Sequence, residues 1–167
     1  MEQVTISEYD PLWVKEYETE KVKIVKELDD ILLGIEHIGS TSIPGLAAKP
    51  IIDIMAGVRS LEDITDIYKE RLQNIGYEFV EHAHLPQRRF FRRGAWGAGT
   101  HHLHIYEYKQ NHWNKNLFFK EYLINHPEIL KEYCNLKKQL ERRYKNDRVA
   151  YTKAKEPFIE EILNKFN

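Results

Sequence analysis

Apolar side chains recur at Val14, Tyr17, Ile24, Leu28, Ile31 and Leu32, the spacing of one helical face. Asp10 followed by Pro11 reads as an N-cap and first helical position, and Gly34 as the stop, so a helix is predicted to about Leu33. A short strand, "QVTIS", precedes it. "IEHI" and "PIIDIMAGV" read as strands, and "SLEDITDIYKERLQNIG" as a helix capped by Ser60 and ended by Gly76. Three further strands follow, "YEFV", "RRFFRR" and "HHLHIYEY", the last two joined by a glycine-rich hairpin connection, "GAWGAGT". The remainder is helical: Trp113 to about Asn125, then Pro127 to Tyr144 with apolar positions at Leu130, Tyr133, Leu136, Leu140 and Tyr144. A last helix runs from about Arg148 to Phe166 behind a cap at Asn146 or Asp147.

A chain of 167 residues, 42% hydrophobic and 31% charged, has room for one domain with a real core. Its formal charge of -1 supplies no overall basic field, so an anionic ligand must be met by local clustering of Lys and Arg. Bulk nucleic-acid binding is not expected; a small-molecule or nucleotide ligand is. The single cysteine, Cys134, excludes an internal disulfide and reads as a buried apolar residue on its helix. The start "MEQVTISEYDP" lacks the pattern of a signal peptide, and no apolar run is long enough to span a bilayer. A cytoplasmic location follows as an expectation, and oligomeric state stays open.

The densest concentration of chemistry is "HIGSTSIPGLAAKPIIDI", His37 to Ile54. It is not a Walker loop, because Leu46 rather than lysine follows Gly45, and "GSTSIPG" is not a nucleophile elbow. What remains is a strand, a Gly-Ser turn and a second strand carrying Asp53. In such a turn the amides and hydroxyls of Gly39, Ser40, Thr41 and Ser42 can contact phosphate, while Asp53 holds Mg²⁺ that bridges the phosphates. Lys49, Ile51 and Asp53 share strand parity and so one face. The alternative is that the glycines and Pro44 merely shape a connection. Against it, a carboxylate inside an otherwise apolar central strand is costly unless paired or metal-bound.

These residues, with "HHLHIY", "W…LFFKEYLINHPE" and "DRVAYTKAKEPFIEEIL", resemble the GrpB-like proteins over essentially the whole chain. The resemblance implies the nucleotidyltransferase superfold, marked by a hydrophobic-Gly-[Gly/Ser] turn and an Asp-x-[Asp/Glu] pair on the next strand. Gly39 and Ser40 then occupy the turn and Asp53 is the first acid. Met55 stands where the second acid is expected, which removes a hard ligand from a two-metal mechanism. GrpB-like domains also occur fused to dephospho-coenzyme A kinase, which implies an accessory role as an alternative.

His102, His104 and Tyr106 share one strand face. Beside Asp53, the two imidazoles and the carboxylate would form a facial site suited to Fe²⁺, Zn²⁺ or Mn²⁺ better than Mg²⁺; otherwise the histidines simply pack in the sheet. In "QRRFFRRG", Arg88, Arg89, Arg92 and Arg93 surround two phenylalanines, and Arg89 and Arg92 are the named phosphate ligands, against a solvated edge strand. Lys155 lies one turn after Tyr151 and reaches toward a triphosphate in the resemblance. His37 either contacts ligand or packs.

The expected fold is a two-layer α/β (α+β) nucleotidyltransferase-like domain, a mixed sheet flanked by helices over about residues 1–112 and a helical part over about 113–167. The expected function is metal-dependent transfer of a nucleotidyl group from a nucleoside triphosphate to a small acceptor, using Mg²⁺ or Mn²⁺. Asp53 and His104 are the catalytic candidates, with His102 or His104 replacing the missing acid. The rival readings are a non-catalytic nucleotide- or partner-binding module, and a metal hydrolase or oxygenase on Asp53, His102 and His104.

Overall fold

A computed structural model describes residues 3–82, 85–95 and 98–166. A five-stranded mixed sheet is formed by β1 (Leu32–Ile38), β2 (Ile52–Val58), β3 (Glu78–Val80), β4 (Arg89–Ala95) and β5 (Ala98–Glu107), in the order β1-β2-β5-β4-β3. Every neighbouring pair is antiparallel except β2 and β5. A parallel pair needs a long crossover, here the whole stretch from α2 (Asp66–Asn74) through β4. The pairing sets Asp53 opposite His102 and Met55 opposite His104.

Strand alternation then sorts the side chains onto two faces. Ile52, Ile54, Ala56 and Val58 of β2, Phe91 of β4, and Leu103 and Ile105 of β5 pack with α1 (Leu12–Leu28) and α2 in the main core. Asp53, His102 and His104 lie on the opposite face, toward α3 (Asn111–Asn125), α4 (Pro127–Arg143) and α5 (Arg148–Leu163). There Trp113 and Leu117 of α3 cover Met55 and Ile38, while Ile43 and Leu46 after the turn bury against Leu123, Tyr133 and Ile162 of the three helices. The charged part of this face remains open as a cleft.

Several element boundaries differ from the sequence expectation. Asp10 does cap α1, its carboxylate accepting from the Leu12 N–H at 2.9 Å. The helix ends at Leu28, however, and Gly34 lies inside β1 opposite Gly57. A Cβ at either glycine would sit within 2.7 Å of the Tyr108 ring, so the pair exists to admit the aromatic rings of Tyr108 and Trp113. Val14 is exposed, because the buried stripe runs Trp13, Tyr17, Glu20, Ile24 and Leu28. The segment after Val58 splits into a 3₁₀ turn at Leu61–Asp63, capped by Ser60, and α2. "QVTIS" makes one bridge, Ser7 to Ala48, rather than a strand. The hairpin pairs through Ala95 and Ala98, and the tip of the expected connection, Trp96 and Gly97, lies outside the described residues. α3 starts at Asn111, α4 ends at Arg143 and α5 at Leu163. Asp147 caps α5 through the Ala150 N–H. Among the described residues no helix is long and apolar enough to cross a membrane.

One buried charge ties α1 to the sheet. Glu20 accepts hydrogen bonds from Tyr77 at 3.0 Å, from Arg93 of β4 and from Lys23 at 2.9 Å. Burial pushes its pKa up, but the hydrogen bonds from Lys23, Arg93 and Tyr77 outweigh that and hold it below the ordinary value. Removing one partner of such a network strands the others. Glu20→Ala is expected to lower stability by about 3 kcal/mol in urea denaturation; a loss well under 1 kcal/mol would show the network to be incidental.

Candidate functional site

Asp53 is the centre of the open face. Its Oδ1 lies 2.9 Å from His104 Nε2 and 3.5 Å from His102 Nδ1. Its other oxygen rests against Gly39: a Cβ there would be 2.5 Å from Asp53 Oδ2, and Gly39 has φ 73°, a backbone conformation glycine adopts without strain. Burial pushes the carboxyl pKa up, and the hydrogen bonds from His102 and His104 overcome it, leaving Asp53 well below the usual carboxylate range. Donor atoms of Asp53, His102 and His104 all lie within 4.8 Å of one another.

The tautomer of His104 is set by its far side. Arg88 Nη1 lies 3.0 Å from His104 Nδ1 and Arg88 Nη2 lies 2.9 Å from His82 Nδ1. A guanidinium only donates, so His104 Nδ1 accepts and its proton sits on Nε2, facing Asp53. In this arrangement His104 holds the carboxylate and offers no lone pair to a metal. Arg88, not Arg89, is therefore the arginine that meets the site. Arg89 shares the face of Phe91 and Ile105 and binds the Pro86 carbonyl and Glu62 instead, which corrects its expected phosphate role. Arg92 does line the hollow beside His102, and gives Nη2 to the Ala95 carbonyl.

The turn residues divide between structure and cleft. Ser42 Oγ donates to the Gly39 carbonyl at 2.6 Å and Thr41 Oγ1 to the Ile51 carbonyl at 3.0 Å. Since the Thr41 hydroxyl proton is used, it accepts from His37 Nε2 at 3.1 Å. His37 thus packs: it stacks on Tyr17, and burial, with the Lys120 ammonium adding, pushes its pKa down to about 4. The hydroxyls of Thr41 and Ser42 are committed to holding the turn, and Ser40 is the hydroxyl that reaches cationic company.

That company is Lys137, which the sequence reading missed. Its Nζ donates to Ser40 Oγ at 2.7 Å, and the residue is 2% exposed. Burial, then the nearby Lys155 charge, pushes its pKa down to about 7. The signal was present: Leu130, Tyr133, Lys137, Leu140 and Tyr144 form an i, i+3, i+4 stripe, with a lysine in an apolar position. A cleft of about 180 Å³ is lined by Ser40, Lys49, Asp53, His102 and Lys137, with Arg148, Thr152 and Lys155 from α5. Lys155 Nζ lies 4.7 Å from the Tyr151 ring centre, one turn away as expected, and burial lowers its pKa. Lys49 precedes β2 rather than lying on it, yet shares the cleft with Ile51 and Asp53. Two larger hollows flank the cleft. One, about 460 Å³, includes Arg88, Arg92, His102 and His104; the other, about 300 Å³, includes Gly39, Asp53, Asn116, Phe119 and Tyr133.

This is the nucleotidyltransferase type of fold, a strand acid behind a Gly-Ser turn. The likeness extends to the crystal structure of the Cid1 poly(U) polymerase bound to MgGTP, with a TM-score of 0.52, 15% identity, and coverage of 83% of this chain and 44% of that one. The chain belongs to the GrpB family, whose model, GrpB protein, matches residues 3–165. The crystal structure of conserved protein GrpB from Enterococcus faecalis superposes with a TM-score of 0.89 at 37% identity over 96% of each chain. The glutamate-rich protein GrpB of Alkalihalophilus pseudofirmus is 37% identical over 155 residues, 91% of this chain and 89% of that protein. A dephospho-CoA kinase of Mycobacterium leprae is 25% identical over 179 residues, covering 90% of this chain but 43% of the kinase.

Lys137 carries a pH signature. Its folded-state pKa lies below that of a free lysine, so from about pH 7 up to the ordinary lysine range the unfolded chain binds more protons, and stability rises with pH. Lys137→Met removes this slope. In urea denaturation the variant is expected to gain most on the wild type at about pH 6 and to lose that advantage progressively as pH rises to the ordinary lysine range, about pH 10; a pH-independent difference would show that Lys137 stays charged throughout.

Proposed function

We propose that the chain binds a nucleoside triphosphate with its phosphates in the cleft between Ser40 and α5, and transfers the nucleotidyl group to a small acceptor. The observation that carries this reading is the composition of the cleft wall: Lys49, Lys137, Lys155 and Arg148 surround Asp53, the one carboxylate among the lining residues described. In a chain of formal charge -1, that clustering is a local anion site. Ser40 and the four cations hold the phosphates. The acceptor oxygen forms a bond to the α-phosphorus as the bond to pyrophosphate breaks, and the acceptor proton is released.

Asp53 fits a hard divalent ion, Mg²⁺ or Mn²⁺, whose remaining ligands would be phosphate oxygens and water. Bound there, the ion would supply charge neutralisation for the phosphates. His104 and His102 steady the carboxylate from its Oδ1 side. The Arg88 contact counts against His104 as a metal ligand, and so against the hydrolase or oxygenase reading.

Met55 supports a second reading. It is fully buried among Ile38, Trp113, Tyr106, Tyr108 and Leu117, so the position of the second acid is sealed in an apolar cluster under α3. A nucleotide-binding domain without chemistry is consistent with that, and with the kinase of which this chain matches less than half. Calorimetric titration with nucleoside triphosphates, with and without Mg²⁺, should give metal-dependent binding that weakens about tenfold or more in Asp53→Ala. Absence of binding under both conditions would overturn the proposal. Binding with no labelled nucleotidyl transfer to any acceptor tried would favour the second reading.

A further inference from the structure

We propose that the hollow on the β4 side of His102 is the acceptor site, and that it takes a small anionic molecule carrying a phosphate monoester or a carboxylate. The inference rests on the triphosphate reading above. The hollow shares Ile51, His102, Arg148 and Thr152 with the phosphate cleft, so a molecule held in it abuts the phosphates directly.

Its wall chemistry selects charge. Arg88 and Arg92 project into it from β4 and its approach, beside His82, His104 and Phe90, and no carboxylate is among its lining residues described. Arg88 gives its two terminal nitrogens to imidazole acceptors and lies with its guanidinium carbon 4.6 Å from the Phe90 ring centre. Those partners orient the guanidinium without cancelling its charge. The cleft and the hollow together are lined by six cationic side chains, Lys49, Lys137, Lys155, Arg88, Arg92 and Arg148, against one carboxylate, Asp53. Arg88, held by imidazoles rather than by a carboxylate, keeps its positive charge for a second anion.

The hollow across Asp53 is more apolar. Phe119, Tyr133, Ile159 and Leu163 line it with Lys115 and Asn116, aromatic and aliphatic walls suited to a nucleobase. With the base on that side, the acceptor enters from the arginine side. A cationic acceptor would be repelled there, and a neutral one would leave Arg88 uncompensated.

The test uses the full chain with Mg²⁺ and a non-hydrolysable triphosphate analogue. Glycerol 3-phosphate, glycerate and glycerol are titrated in turn. One or both anions should bind and glycerol should not, and the stronger anion identifies the acceptor's charged group. Arg88→Gln should weaken the anion about tenfold or more and by a larger factor than it weakens the analogue; Lys137→Gln should show the reverse order. Arg88→Lys should keep most of the anion affinity. Should Arg88→Gln fail to fold, Arg92→Gln is read the same way. Equal binding of glycerol, no anion binding to the wild type, or anion loss that follows Lys137 rather than Arg88 would overturn the proposal. Failure of the analogue to bind while an anion still binds through Arg88 would instead overturn the triphosphate reading.

Discussion

A carboxylate in the middle of an otherwise apolar central strand is the constraint around which this molecule is built. Asp53 gains its place only because partners meet it from three directions. His104 donates from the neighbouring strand, His102 stands opposite in register, and Gly39 lets the chain pass close to the second oxygen. The two histidines depend on β5 running parallel beside β2, a pairing made only after the chain has passed through α2, β3 and β4, whereas Gly39 follows β1 on the other side of β2. The Gly-Ser turn has its own internal lock in Thr41, Ser42 and His37, which frees Ser40 to face the cleft.

The face carrying Asp53 is divided in two. α3 lays Trp113 and Leu117 over Met55 and seals one part as core. α4 and α5 stand over the other and bring lysines and an arginine toward Ser40 and Asp53. Lys137 shows the cost of that arrangement: an ammonium held in a buried position is destabilised as a cation unless something negative arrives. Arg88 is held differently, oriented by imidazoles, and it fixes the His104 proton on the side that supports Asp53. In the proposed reading, folding stability and ligand affinity pull against each other at the same residues.

Much of the fold was legible because local rules agreed with one another. The Asp10 and Asp147 caps, the Pro127 helix start and the apolar run of β2 each mark an element by its own chemistry. Asp53, His102 and His104 were legible as one face by parity, and the structure brings them together. What was not legible depends on contacts distant in sequence. Gly34 reads as a helix stop until the rings of Tyr108 and Trp113 are seen to require it within β1. Arg88 shares the parity of Phe90 and Arg92, so it was legible as their companion, but that this face of β4 meets the cleft follows only from the pairing of β4 with β5. Lys137 sits on the α4 stripe, but its meeting with Ser40, 97 positions away, is a tertiary fact. The burial of Met55 under α3 likewise turns a substitution in a motif into a physical barrier to a second acid.

The most direct test of the account is a crystal structure of the chain with Mn²⁺ and a non-hydrolysable nucleoside triphosphate, with the ion located by its anomalous signal. The ion is expected on Asp53, with phosphates against Ser40, Lys137 and Lys155, and His104 still bonded to the carboxylate. Phosphates bound elsewhere, or the ion held by His102 and His104 with Arg88 displaced, would contradict it.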